Sequence, residues 1–119
     1  MKPKIKSING AGFDWVSFTP EHERNFEVYL EVGLGPSTDD SSEIFQFRVC
    51  TPTRIEAWLE ENKPMWGINT LFVNRFEREQ VEAALEELVR RMGEGTWDVL
   101  RQRLKGFIQS EYEGMLNGQ

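Results

Sequence analysis

The run "FEVYLEVGL", Phe26 to Leu34, alternates without a break. Phe26, Val28, Leu30, Val32 and Leu34 share one face, while Glu27, Tyr29 and Glu31 share the other. A side-chain period of two with one dry and one wet face predicts a strand in an antiparallel sheet. "GPSTDDSS" interrupts the alternation and predicts an exposed loop. From Glu43 to Cys50 the alternation resumes, with Phe45, Phe47 and Val49 inward and Gln46, Arg48 and Cys50 outward. The two runs predict a hairpin with a long connection. A shorter strand is expected at Lys4 to Ile8, linked to the hairpin by "NGAGFDWVSFTPEHER".

The period then lengthens. Thr51 is a good N-cap and Pro52 suits a first helical position, where its missing N–H costs nothing. Ile55, Trp58 and Leu59 form a stripe at helical spacing, and the helix should stop near Asn62-Lys63-Pro64. "INTLFVNRF" reads as another strand, with Leu71 and Val73 on one face and Phe72 on the other. In the next helix Val81, Ala84, Leu85, Leu88, Val89 and Met92 share a face, and Gly93 suits its C-terminal end. Glu77 and Glu79 near its start and Arg90 and Arg91 near its end complement the helix dipole. Glu86–Arg90 and Glu87–Arg91 are spaced to pair along it. Thr96 should cap a last helix whose stripe runs through Trp97, Leu100, Leu104, Phe107 and Ile108.

The predicted order is β-β-β-α-β-α-α, with no repeat or linker. The helical stripes need an apolar partner, and the Phe/Val/Leu face of the sheet supplies one. The expectation is a single α+β domain over residues 1–119, a mostly antiparallel sheet with helices packed on one face and the other face at least partly open.

Composition narrows the function. The chain has 119 residues, 39 % hydrophobic and 29 % charged, the balance of a soluble globular domain. Its formal net charge of −6 argues against nucleic acid as a partner and suits a basic protein. No apolar run reaches the ~20 residues of a membrane helix, and no apolar stretch follows the basic start, so a cytoplasmic location is expected. The four tryptophans divide. Trp58 and Trp97 lie in helical stripes and are expected in the core. Trp15 and Trp66 sit in connections, where a Trp either pins the loop or anchors a partner; pinning is the preferred reading.

Cys50 is the one candidate nucleophile, because a thiol at a strand end facing a helix N-terminus can be acidified. The surrounding sequence does not support it. A phosphatase-like thiol needs a glycine-containing loop and an arginine six positions on, where this chain has Glu56. A protease-like thiol needs a histidine, and the single one, His22, lies in the polar stretch "PEHER". Cys50 is therefore read as structural. One Cys and one His cannot build a zinc site, and Asp39, Asp40 and Glu43 lack the spacing of a calcium loop. No enzyme, metal or cofactor is expected.

Taken together, these residues resemble the immunity protein 8 family of bacterial polymorphic-toxin systems. The resemblance runs through "MKPKIKSI", "NFEVYLEVGLGP", "EIFQFRVCTP", "WLEENKPMWGINTLFV" and "GEGTWDVL". Its most specific pieces are Phe45 to Pro52, the Trp66-Gly67 pair before a Leu-x-Val strand, and Thr96-Trp97. The chain departs from it at Phe76-Glu77, where a Tyr-Asp pair is expected, and at Glu111-Tyr112 in place of a Trp-Glu-Phe-like ending. The resemblance implies a non-enzymatic antidote that binds and blocks a cognate toxin domain, encoded by the neighbouring gene, and it lends no catalytic residues. The expected toxin surface is acidic, on the wet side of the hairpin or in its loop: Glu27, Tyr29, Glu31, Asp39, Asp40, Glu43, Gln46 and Arg48. A basic, nuclease-like toxin fits that charge. The alternative is a small-ligand-binding or adaptor domain that uses the open sheet face.

Overall fold

A computed structural model describes residues 1–62 and 64–111. Its elements are β1 (Pro3–Gly10), β2 (Glu27–Pro36), β3 (Glu43–Cys50), α1 (Pro52–Glu61), β4 (Thr70–Phe72), α2 (Arg78–Met92), α3 (Trp97–Leu104) and β5 (Gln109–Ser110). The strands form one sheet in the order β1-β2-β3-β4, with β5 also on β3. Only the β3–β4 pairing is parallel. This is the expected α+β order with one short strand added at the end.

β1 is longer than its alternation predicts because it contains a bulge. Ile5 pairs with Leu34 and Ser7 with Gly33, so Lys6 is the extra residue. Without that slip, Ile5 and Ile8, three apart, would face opposite sides. With it, both pack against the core. At the same end of β2, a Cβ on Gly35 would fall 1.9 Å from the Ser41 carbonyl oxygen. The hairpin loop crosses so close to the strand that a side chain there has no room.

The inner face carries Val28, Leu30, Val32, Leu34, Phe45, Phe47 and Val49, all buried. Val81, Leu85, Val89 and Met92 of α2 and Leu100 and Leu104 of α3 close over it. The α2 stripe is the predicted one, and Gly93 ends the helix at φ 68°. Glu87, rather than Glu86, pairs with both Arg90 and Arg91, at 2.5 and 3.0 Å. Thr96 caps α3 by accepting from the Val99 N–H at 3.3 Å. The helix stops at Leu104, earlier than its stripe predicts, and the chain turns through Gly106 at φ 92°. Ile108 still reaches the core, but Phe107 is exposed.

Three other expectations change. Thr51 stands at the N-cap position of α1 but does not cap it. Its hydroxyl instead accepts from the Phe26 N–H at 3.2 Å and faces the Phe26 carbonyl at 3.4 Å, tying the start of α1 to the start of β2. Trp58, expected in the core, is 42 % exposed, and α1 buries no residue at all. Its stripe has no apolar partner of sufficient area, because α2 and α3 occupy the inner face.

The third concerns the loop tryptophans, which part company. Trp15 is 2 % exposed and does pin its loop. It meets Phe76 edge-on at 5.7 Å and donates from its indole N–H to Glu82 at 3.0 Å. Arg78 lies over both rings and donates to the carbonyls of Trp15 and Phe18 at 3.1 and 2.6 Å. Trp66 pins nothing: it is 92 % exposed.

Candidate functional site

The outer face is read off the strand register. Glu27, Tyr29 and Glu31 of β2 stand opposite Cys50, Arg48 and Gln46 of β3. Arg48 and Cys50 in turn stand beside Thr70 and Phe72 of β4. Three adjacent strands thus offer one surface, and its two ends differ.

One end is closed. Arg48, although it points outward, is 8 % exposed. Its guanidinium donates to Glu27 at 3.1 Å and to the Thr70 hydroxyl at 3.1 Å. Arg54, in the first turn of α1, approaches the other Glu27 oxygen at 3.6 Å. Glu27 therefore sits between two arginines, and α1 begins on this side of the sheet. Cys50 lies at the same end and is fully buried. Burial, and then the Glu27 charge, push its thiol above the ordinary value, against weaker pulls from Arg48 and Arg54. A nucleophile needs the opposite shift. His22 is exposed, its one close charged neighbour being Glu21 at 4.0 Å.

Further along, the face opens. Tyr29, Gln46, Arg48, Trp66, Ile68, Asn69 and Gln109 line a shallow cleft of about 280 Å³. Gln46 donates to Glu31 at 3.2 Å, so a carboxylate borders the cleft. Tyr29, Trp66, Ile68 and Phe72 are all exposed. The Phe72 ring tip lies 3.8 Å from where a Cβ on Gly67 would stand, which joins the loop after α1 to the edge strand. The alternation of β2 and β3 pointed to Tyr29, Gln46 and Glu31. It gave no hint of Trp66 and Ile68, which lie in a stretch without period, "KPMWGIN".

The expected site residues do not all meet here. Tyr29, Gln46 and Arg48 line the cleft, Glu31 borders it and Glu27 lies under Arg48. Asp39 and Asp40 are exposed in the hairpin loop, roughly 23 Å along β2 from Tyr29 at the usual strand rise. The Ser41 hydroxyl and amide both donate to Asp39, at 2.5 and 2.8 Å, and hold its carboxyl below the ordinary value. Lys6 bonds the Asp39 carbonyl.

Glu43, expected on the toxin surface, is the first residue of β3 as predicted but turns inward at 7 % exposure. Its carboxylate accepts from Arg101 at 2.7 Å, the Trp97 indole at 2.7 Å and the Ser110 hydroxyl at 2.5 Å. Burial alone would raise its pKa; Arg101, Ser110 and Trp97 together outweigh that and lower it.

A second cleft, of about 430 Å³, lies between α2 and β4, with Leu71, Leu85, Leu88, Met92, Phe107 and Ile108 on its walls. Among the described residues no three Asp, Glu, His or Cys side chains gather to hold a metal ion, and no helix is long and apolar enough to cross a membrane.

Comparison with known protein families finds a match. The model of the family described as Immunity protein 8 covers residues 3–115. Neither the curated proteins nor the solved structures contain a match.

Proposed function

The chain belongs to the immunity protein 8 family, and we propose that it neutralises a cognate toxin domain, encoded by the neighbouring gene, by binding it one to one in the cytoplasm. It does so without catalysis, as a tight stoichiometric inhibitor. The family match over nearly the whole chain is the observation that carries this reading. Two others agree with it. The net charge of −6 suits a basic, nuclease-like partner and speeds its approach. The one thiol is buried with a raised pKa, as befits packing rather than chemistry.

The outer face of the β2–β3 hairpin is the proposed contact surface. Tyr29 anchors, Gln46 and Glu31 supply polar contacts, and Glu27 with Arg48 forms the rigid floor. Asp39 and Asp40 act at a distance, steering the partner from the hairpin tip. Glu43 supports the fold beneath.

The experiment is co-expression. The toxin domain of the adjacent gene should arrest growth alone, and this chain should restore growth and co-purify with the domain in equal amounts. Arrest that persists beside abundant folded chain would overturn the reading. The ligand-binding alternative uses the open sheet face, at the shallow cleft beside Tyr29 and Gln46. It predicts a raised melting temperature with a small apolar molecule and no effect of the neighbouring gene product.

A further inference from the structure

Among the described residues, Trp66 is the most exposed large apolar side chain. A tryptophan 92 % exposed on a loop gains nothing from folding, since its ring is as wet as in the unfolded chain. It is not isolated. Ile68 is 65 % exposed two positions on, Tyr29 shares its cleft, and the exposed Phe72 ring approaches the neighbouring Gly67. Contiguous exposed apolar residues of this kind mark interaction sites, and Trp and Tyr are the side chains most enriched at their energetic centres.

The charge around the patch identifies the occupant. Among the described residues Arg48 is the only cation lining the cleft, and Glu27 already pairs with it. Glu31 borders the cleft, with one modest bond from Gln46. The helix leading into the loop presents Glu56, Glu60 and Glu61 to solvent. Flat aromatic faces beside carboxylates suit long cationic side chains, whose alkyl stems lie on the rings while their heads meet the acids. A second copy of this chain fits badly, because a two-fold contact would bring each Glu31 and its neighbours against their own images.

We propose that the toxin docks on the patch of Trp66, Ile68, Tyr29 and Phe72, and that it presents there a surface segment rich in Lys or Arg. This rests on the immunity reading above and extends its energetic centre from Tyr29 on the hairpin to the loop after α1. The patch sets how long the complex lasts, while the remote acids set how fast it forms.

The test uses the purified toxin domain of the neighbouring gene and the full chain, with rates followed by surface capture at two salt concentrations. Trp66→Ala and Ile68→Ser should each speed dissociation at least tenfold, with association rate and melting temperature unchanged. Trp66→Phe keeps a flat ring and should stay within about threefold of the parent. Trp66→Ala and Glu31→Gln should be non-additive, because one cationic side chain spans both. Dissociation of Trp66→Ala at the parent rate would overturn the proposal and leave the immunity reading standing. Failure of the parent chain itself to bind the domain would overturn both. Loss of a homodimer in sedimentation on Trp66→Ala would assign the patch to a second copy instead, and would also overturn it.

Discussion

Glu43 and Arg101, fifty-eight positions apart, meet at 2.7 Å on the inner side of the sheet and clamp α3 to the first residue of β3. Trp97, Ser110 and Arg101 all donate to that carboxylate, and Arg101 also lies over the Trp97 ring at 5.8 Å. One buried acid thus holds two elements from the far end of the chain.

Glu43→Ala should therefore destabilise the fold by about 2–3 kcal/mol, the range for losing charge-assisted bonds at a buried site. Its folded pKa is lowered, so its contribution is present above the ordinary value of 4.5 and is lost as pH falls through the lower folded value. The parent should lose stability on acidification below about pH 4.5, and Glu43→Gln should flatten that loss. Urea melts from pH 3 to 7 on both proteins would check it.

Cys50 should be inert. In the folded chain it should react with a thiol reagent far more slowly than in urea, and Cys50→Ser should keep protective activity at a modest cost in stability. Its raised pKa has the opposite pH consequence to that of Glu43. The thiol ionises more easily once unfolded, so its burial weakens the fold as pH rises through the ordinary value of 9.0 and above. Rapid modification of the native protein would contradict the buried placement.

The tryptophans should separate by burial. Trp15→Ala should cost about 3–5 kcal/mol, as for other buried aromatic truncations. Trp97→Ala, half-buried against Phe45 at 6.2 Å and bonded to Glu43, should also destabilise, and Trp58→Ala should cost much less than either. Thermal melts of the three variants give the order directly.

The ordering differs from what periodicity implies, and the reason is physical. A helical stripe says that a face is apolar; it does not say that a partner is available. Ile55, Trp58 and Leu59 have the same spacing as the α2 residues, yet α2 and α3 already cover the Phe45–Phe47–Val49 face. Alternation was more reliable, because sheet register transmits it from strand to strand. It even places Glu43 on the inward parity with Phe45 and Phe47, although a carboxylate beside "TDDSS" reads as loop. Trp66 is legible only as a choice between loop pin and partner anchor, with pinning preferred, and Ile68 reads as strand, because their surroundings depend on Tyr29 arriving from another strand. The two residues of β5 are too few to leave a pattern.

Arg78 should be irreplaceable by lysine. Its planar head donates to two carbonyls of the Trp15–Phe18 turn and covers two rings, and an ammonium cannot match that geometry. Arg78→Lys should lower stability by about 1–2 kcal/mol. The expected sign is loosening of residues 13–18, read as faster amide exchange there than in β2 or β3.

Reversing the acidic charge at the hairpin tip and at Glu31 should slow the partner's approach. Glu31→Lys, Asp39→Lys and Asp40→Lys combined should reduce the association rate at low salt and leave far-UV circular dichroism unchanged. Glu27 is kept, since reversing it would strand Arg48. Association at the parent rate would place the steering charges elsewhere.

β3 is paired by β2 on one side and by both β4 and β5 on the other, and its inner face is sealed by Leu100, Leu104 and Ile108 from the late part of the sequence. A nascent chain can therefore lay down the first three strands early, yet it holds Phe45 and Phe47 bare until α3 has left the ribosome. At about 5–20 residues per second, synthesis of the whole chain takes about 6–24 s, and a half-made copy has no closed core with which to act. A surface carried by this sheet is therefore firm only once α3 is in place. Under the function proposed above, a cell that makes toxin and antidote together is protected by molecules finished in earlier rounds of translation, so the standing pool, rather than the rate of new synthesis, sets its safety.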